Sequence, residues 1–248
     1  MNQSTRKPSQ PGGRERGKGS PPGSTPGPTA AGHRQRLRER FLAAGPEALA
    51  DYEILEMLLF GAIRQGDVKP LAKRLIAQFG GLGGVLSAAP ERLRAAGLSD
   101  STVVAVKLSQ AAALHLIRGE LQDRPLLSSW QSLLDYCQAS MARAPTEEFR
   151  VLFLDRKNRL IADEVQQRGT VDQAAVYPRE VMKRALELGA SALILAHNHP
   201  SGDPTPSKAD IEVTRQVVAA ATPLGIVIHD HLVIGLGKHA SFRALGLI

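Results

Sequence analysis

The order of apolar patterns after residue 147 constrains the fold most strongly. The stretches FRVLFLD (149–155) and NRLIADEVQQRG (158–169) are rich in aliphatic and β-branched residues and are joined by a short polar turn, as in a β-hairpin. YPREVMKRALELG then places Pro178 at a helix start and Gly189 at its end. SALILAHN, DIEVTRQVVAAA and GIVIHDHLVIG follow as strand, helix and strand. Because helices and strands alternate within one core, this half of the chain predicts an α/β sandwich.

The first part of the chain has a helical pattern instead. Between Arg36 and Arg118, apolar residues recur at spacings of three and four, and the segments end at glycines such as Gly80 and Gly97. With 248 residues, of which 43% are hydrophobic, the chain is long enough for two small cores. We therefore predict an all-α domain over residues 34–120, a linker over residues 121–127 and the α/β domain over residues 128–248.

One segment of the helical part suggests a nucleic-acid contact. ERLRAAGLSDSTVVAVKL (91–108) predicts two helices joined through Gly97, and it resembles a helix-hairpin-helix unit, in which backbone amides contact a phosphate. The usual Gly-x-Gly turn is absent, because Ser99 stands where the second glycine would be. A DNA-binding hairpin and an ordinary pair of helices both remain open.

Positive charge is concentrated at the N-terminus. The formal net charge is +7, and residues 1–40 carry nine Lys/Arg and two Glu, so the rest of the chain is neutral. Residues 1–33 are rich in Gly, Pro and Ser and lack aromatic side chains, which predicts a disordered basic tail. Such a tail is typical of an electrostatic arm for nucleic acid or of a solubilising extension.

Cysteine content and hydropathy indicate the cellular setting. Cys137 is the one cysteine in the sequence, so it forms no internal disulfide, and its apolar neighbours predict a core position. No apolar run approaches the ~18 residues of a membrane span, and the N-terminus lacks the apolar segment of a signal peptide. We expect a cytoplasmic protein that does not contact a membrane.

The stretch LILAHNHPSGDPTPSKAD (193–210) contains the strongest candidate site. His197 and His199 lie two residues apart at the end of an apolar strand, so their side chains point to the same side of the sheet. After a Pro/Gly-rich turn, Ser207 and Asp210 lie three residues apart at a helix start and share one helix face. Two imidazoles and one carboxylate leave a fourth tetrahedral position open, as in catalytic zinc sites.

The same stretch also has a simpler interpretation. Ser207 and Asp210 match a capping box with Asp in place of Glu or Gln, so helix capping alone accounts for both residues. Capping does not account for two histidines that end a buried strand, where α/β folds place chemistry. We therefore favour a metal site over a polar loop.

The motif resembles that of a known enzyme family. The pattern His-x-His-Pro, six residues, Ser, two residues, Asp is similar to the JAMM (MPN-plus) metallopeptidase motif and is met without a gap. EEFRVLFLDRKNRLI, REVMKRALELGASALILAHNHPSGDPTPSKADIEVTR and HDHLVIG resemble the bacterial RadC family, historically labelled as DNA repair proteins. The resemblance covers about residues 36–248. It implies a JAMM/MPN-like mixed sheet flanked by helices, preceded by a small helix-hairpin-helix-like domain.

The resemblance also implies an activity. It points to a zinc-dependent metallohydrolase that cleaves a peptide or isopeptide bond of a peptide or protein substrate through a metal-activated water. The ligands of Zn2+ would be His197, His199 and Asp210. Two other functions remain open. One is a DNA-associated repair or recombination protein that binds DNA through the helical domain and basic tail, and the other is a metal-binding scaffold without turnover.

Two further catalytic roles follow from the resemblance. Ser207 would hydrogen-bond the developing oxyanion. The general base would be a glutamate on the segment leading into an early strand of the domain. Glu148, directly before FRVLFLD, fits best, and Glu147 is the near alternative.

A second His-x-His pair occurs at His229 and His231, on either side of Asp230. The alternation of a strand would make it a rival ligand pair, but no acid follows it at helix spacing. We interpret the pair as structural, with His231 or Asp230 orienting a metal ligand through a hydrogen bond.

Overall fold

The helical pattern predicted for the first part of the chain is confirmed. The structure, a computed structural model, describes Met1 and residues 30–123, 125–169 and 176–248, so the predicted tail lies largely outside the described residues. Six helices come first: α1 (Ala30–Ala44), α2 (Asp51–Ala62), α3 (Lys69–Phe79), α4 (Leu82–Ser87), α5 (Pro90–Ala95) and α6 (Asp100–Asp123).

These helices enclose a core of their own. Leu55 and Leu59 of α2 are fully buried against the neighbouring helices, together with Leu75 of α3. Gly80 ends α3 with a φ of 73°, a left-handed conformation that lets the chain turn directly into the next helix. Apolar spacing and glycine termination thus produce a compact helical layer before the sheet begins.

Helix α6 contributes to two cores. It is 24 residues long and therefore spans about 36 Å. Val103 and Val106 near its start are buried among the other helices, whereas Leu121 near its end is buried against the sheet. Leu126, in the following 3-10 turn, is buried there too. Leu121 and Leu126, both within the segment predicted to be a linker, thus lie in the core of the sheet domain.

The rest of the described chain forms a mixed sheet with three more helices. The strands are β1 (Glu147–Leu154), β2 (Leu160–Gly169), β3 (Ala192–Asn198), β4 (Val227–Gly235) and β5 (Lys238–Ser241), and the helices are α7 (Trp130–Met141), α8 (Pro178–Glu187) and α9 (Lys208–Ala221). The strand order is β2-β1-β3-β4-β5. The β3–β4 pair is parallel and the other pairs are antiparallel.

Helices cover both faces of this sheet. Because alternate residues of a strand point to opposite faces, Leu152 and Ile194 pack with α7 and the end of α6, and Cys137 lies in this core as predicted. Val151 and Leu195 pack on the other face with α8 and α9. The predicted α/β sandwich, with a mixed sheet flanked by helices and a helical region before it, is confirmed.

The sequence pattern did not predict the last strand. Residues 238–241 pair with the end of β4 as β5, so His239 lies on a strand. Gly237 has a φ of 67°, which permits the tight turn between the two strands. Among the described helices, none is both long enough and apolar enough to cross a membrane.

Candidate metal centre

Four side chains converge at the end of β3. His197 is on the strand, His199 follows it, Asp210 lies in the first turn of α9, and Glu147 begins β1. One potential ligand atom from each lies within 4.8 Å of all the others. Residues that are up to 63 positions apart in the sequence therefore meet in one place, between the sheet and α9.

The two histidines project together as predicted. His197 Nε2 and His199 Nε2 lie 3.0 Å apart. Asn198 points to the other side, where its side chain accepts from the backbone N–H of Glu148 (2.8 Å) and donates to the carbonyl of Thr146 (3.1 Å). The intervening residue thereby holds the start of β1 against the end of β3.

The loop between β3 and α9 is held against β4. The backbone N–H of His199 donates to the carbonyl of Ile234 over 2.9 Å. Beneath the loop lies Gly235, where an added Cβ would come within 2.3 Å of the Gly202 carbonyl oxygen. A side chain at this position would push the loop away from the sheet, so a glycine is required for the close approach.

Asp210 serves both the helix cap and the cluster. Ser207 N–H donates to Asp210 Oδ2 (2.6 Å), and Asp210 N–H donates to Ser207 Oγ (3.1 Å), so the predicted capping box is present. The same carboxylate places Oδ1 3.4 Å from His197 Nε2 and Oδ2 3.5 Å from His199 Nε2. The two interpretations of the motif are compatible, because a carboxylate accepts several partners at once.

The electrostatic setting favours an ionised Asp210. Partial burial opposes ionisation, but the neighbouring His197 and the hydrogen bonds from Ser207 outweigh it, so the pKa of Asp210 lies well below its usual range. The carboxylate is therefore available as a negatively charged ligand at neutral pH.

A chain of hydrogen bonds through His231 sets the tautomer of His197. The Thr214 hydroxyl donates to the Asp210 carbonyl oxygen (2.5 Å), so its oxygen is left to accept from His231 Nδ1 (2.6 Å). Burial lowers the pKa of His231 well below its ordinary value, so the ring is neutral and Nε2 bears a lone pair. That Nε2 accepts from His197 Nδ1 over 2.7 Å, which leaves the lone pair of His197 Nε2 facing the cluster.

A single hydrogen bond to the backbone sets the tautomer of His199. Its Nδ1 donates to the carbonyl oxygen of Asp203 over 2.7 Å, which leaves Nε2 as the acceptor.

The sequence pointed to His231 as an orienting residue but did not single out Thr214. The available signal was that Thr214 lies four residues after Asp210, on the same face of α9.

The donor atoms fit a tetrahedral zinc ion. Ligand atoms about 2.05 Å from zinc at the tetrahedral angle lie about 3.3 Å from each other. The distances among His197 Nε2, His199 Nε2 and the nearest Asp210 oxygens are 3.0, 3.4 and 3.5 Å. Two neutral imidazoles that direct lone pairs at each other over 3.0 Å repel, and a cation between them and the carboxylate removes that repulsion. Two imidazoles and a carboxylate are also donors that zinc accepts.

A β-bulge separates His229 from His231. Leu193 pairs with Ile228 and Ile194 pairs with Asp230, so His229 is the extra residue in β4. His229 Nε2 lies 2.7 Å from Asn158 Oδ1 in the β1–β2 turn. The two histidines therefore do not point together as simple alternation would suggest, and they do not form a second ligand pair.

Glu147, rather than Glu148, lies in the cluster. Phe149 pairs with His197 across β1 and β3, and Glu147, two residues earlier, is on the same face, with Oε1 3.9 Å from His197 Nε2. Glu148 is on the opposite face, where its carboxylate lies 3.1 Å from Arg168 Nε. Strand alternation therefore places the alternative, Glu147, in the cluster and Glu148 outside it, and the identity of the general base stays a prediction.

Ser207 lines a cavity of about 650 Å3 beside the cluster. Its oxygen accepts from the backbone N–H of Asp210, so its own proton remains for an acceptor inside the cavity. The hydroxyl thus lies near the cluster, and its role as an oxyanion donor stays a prediction.

The helical hairpin forms at the predicted place. α5 and α6 are joined through Gly97, which has a φ of 92°. The Asp100 carboxylate accepts from Arg94 Nε (2.7 Å), so this cation of the hairpin already has a partner. DNA binding by the hairpin stays a prediction.

The mixed sheet between helices, with a cluster of histidines and carboxylates at one strand end, defines a JAB-type domain with a candidate metal centre. Residues 127–247 match the family model described as a RadC-like JAB domain, and residues 30–104 match the model described as UPF0758 N-terminal. The chain therefore belongs to the RadC family.

Relatives cover most of both chains. A UPF0758 protein of Rhodobacter capsulatus is 62% identical over 213 residues, which is 86% of this chain and 100% of the relative. A UPF0758 protein of Ruegeria pomeroyi is 54% identical over 217 residues, which is 87% of this chain and 97% of the relative. The similarity extends through the helical region as well as the JAB domain.

Proposed function

We propose that this chain is a zinc-dependent hydrolase that cleaves peptide or isopeptide bonds. The proposal depends on one observation, the convergence of two imidazoles and two carboxylates beside a cavity: His197, His199, Asp210 and Glu147. Structural zinc sites close their coordination sphere with four protein ligands, whereas catalytic sites use three and keep one position for water or substrate. Three ligands and a nearby glutamate match the catalytic pattern.

The first three residues would hold the metal. His197 and His199 offer Nε2 lone pairs, because their Nδ1 atoms donate elsewhere, and Asp210 offers an ionised carboxylate. When bound, zinc supplies a Lewis acid that polarises the scissile carbonyl and acidifies the attacking water.

Glu147 is the general base in this proposal. Its carboxylate accepts a proton from the attacking water as the water oxygen bonds to the carbonyl carbon, and then gives that proton to the nitrogen as the C–N bond breaks. The products are a carboxylic acid and an amine, so no other reactant is required. The position of Glu147 on the His197 face of β1 supports this role over Glu148.

Ser207 is the oxyanion donor in this proposal. Its hydroxyl lines the same cavity as Glu147 and Asp210, and the capping bond fixes its oxygen. A donor held in place before the reaction stabilises charge that develops in the transition state more than charge in the ground state.

Metal content provides the direct test. The protein purified without an affinity tag is expected to hold one zinc ion per chain, measured by elemental analysis. Removal of the ion with a chelator is expected to lower the midpoint of thermal unfolding, since a ligand that binds only the folded state stabilises it. Zinc should restore the midpoint.

His199→Ala serves as the control, because it removes one ligand from the partly exposed side of the cluster. This variant is expected to retain far less zinc and to show no shift of the unfolding midpoint when zinc is added. Wild-type protein that binds no stoichiometric metal would contradict the proposal. Zinc-loaded protein that cleaves no member of a diverse peptide library would point instead to a metal-binding scaffold.

A further inference from the structure

A groove extends from the candidate metal centre along helix α9. At one end it is lined by Glu147, His199 and Asp210, the residues of the cluster. Phe149 and Val176 also line it, together with residues of α9: Ala209, Glu212, Val213 and Gln216. The cavity is therefore continuous with the atoms that would hold the metal.

The length of the groove suits an extended chain. Ala209, Val213 and Gln216 occupy positions i, i+4 and i+7 and so form one face of α9. Between Asp210 and Gln216 the helix rises about 9 Å, which is about the length of three extended residues. A polypeptide whose scissile carbonyl lies at the cluster would place its next residues beside Val213.

The lining combines apolar surface with acidic charge. Phe149, Val176 and Val213 supply apolar walls, and the charged groups among the described lining residues are the carboxylates of Glu147, Asp210 and Glu212. Glu212 accepts from Gln216 Nε2 over 2.9 Å, so its bonding partner is neutral. An acidic substrate side chain would meet like charge here, whereas an apolar one would bury surface against the walls.

We infer that the substrate is an extended polypeptide that carries an apolar side chain within two residues of the scissile bond, on the side of that bond that lies in this groove. The inference rests on the proposed function, because that function locates the scissile bond at the cluster. Val213, three residues after Asp210 on α9, determines the preference by contacting that side chain.

Cleavage of a peptide library by the zinc-loaded wild type tests this inference. The peptides vary one position at a time over two residues on each side of the scissile bond, and mass spectrometry measures relative kcat/KM. At one of these positions, peptides with Leu, Val or Phe are expected to have a kcat/KM about 10-fold or more above that of peptides with Asp or Glu. This is the size typical of one apolar contact in a pocket. Equal cleavage of apolar and acidic peptides would overturn the inference and leave the proposed hydrolase intact.

Val213→Asp isolates the contribution of the groove. It is expected to reduce the preference for the apolar peptide by about 10-fold while leaving the zinc content unchanged. Ala219→Asp is the matched control, because it adds the same charge to an exposed position of α9 outside the groove, and its preference should equal that of the wild type. An unchanged preference in Val213→Asp, or an equal loss in Ala219→Asp, would contradict the assignment.

Peptide binding to an inactive variant tests the groove separately from the proposed hydrolase activity. Zinc-loaded Glu147→Gln is expected to bind a fluorescent peptide with an apolar residue at the preferred position more tightly than the matching acidic peptide. If no peptide in the library is cleaved, binding of the whole library, with each position varied in turn between apolar and acidic residues, still decides whether the groove selects an apolar side chain. Equal affinity for both peptides would overturn it.

Discussion

Glu147→Gln is expected to lower kcat for peptide cleavage by about 10²- to 10⁴-fold, the range typical of removing a general base. The amide has nearly the shape of the carboxylate but cannot accept the proton of the attacking water at neutral pH. Zinc content should be unchanged, because the proposed ligands His197, His199 and Asp210 remain. Peptide cleavage and zinc stoichiometry measured on the same preparation give both quantities.

Glu148→Gln provides a matched control one residue away. Its carboxylate lies on the other face of β1, 3.1 Å from Arg168 Nε and 3.9 Å from Arg150 Nη2, so it contacts neither the cluster nor the cavity. This variant is expected to retain kcat within about twofold, since loss of a partly exposed ion pair costs at most about 1 kcal/mol of stability. A large loss in Glu148→Gln with normal activity in Glu147→Gln would reverse the assignment of the base.

His231→Phe is expected to weaken zinc binding by about 10- to 100-fold, the usual effect of removing the group that orients a metal-binding histidine. Phenylalanine fills similar space between Phe149 and Phe242, whose rings lie 5.4 and 4.5 Å from that of His231. It cannot accept the hydrogen bond from His197 Nδ1, so the favoured tautomer and ring orientation of His197 are lost. Competition with a chromogenic chelator measures the zinc affinity, and thermal unfolding of the zinc-free protein reports the effect on folding.

His229→Phe tests whether the effect depends on this hydrogen bond. His229 belongs to the same His-x-His pair, but its ring contacts Asn158 in the β1–β2 turn rather than a ligand. Its replacement is expected to leave zinc affinity unchanged. Thr214→Val keeps the side-chain shape and removes the hydroxyl that accepts from His231 Nδ1, so it should weaken zinc binding less than His231→Phe does. Similar affinity losses in His229→Phe and His231→Phe would indicate a general loss of packing.

The dual position of Asp210, in the helix cap and in the cluster, would link folding to the proposed metal binding. Its carboxylate caps the first turn of α9 through Ser207 N–H and lies within 3.5 Å of both histidine Nε2 atoms. The cap therefore fixes the Asp210 carboxylate at the start of α9 before any ion binds. Because the helix cap already orders the Asp210 side chain, zinc binding would have to offset less conformational entropy.

Several features of the site follow from local sequence. The separation of two residues between His197 and His199 at a strand end makes them project together, and the separation of three between Ser207 and Asp210 places both at the start of α9. These relations depend only on the periods of strand and helix, which the chain determines over a few residues. The alternation of strands and helices likewise predicts the α/β sandwich, although it does not reveal the edge strand β5 or the burial of Leu121 and Leu126.

Tertiary structure alone decides which glutamate lies in the cluster and which histidine contacts His197. β1 carries apolar residues on both faces, so its pattern does not reveal which face meets the histidines. Only the pairing with β3 places Glu147 on the histidine face and Glu148 on the opposite face. The bulge in β4 directs His229 away from the cluster and leaves His231 in contact with His197. The sequence does not reveal this difference, because His229 and His231 are two residues apart, as His197 and His199 are. The periodicity of a helix or strand determines which nearby side chains point in the same direction. The register between distant strands is instead determined by packing across the whole core.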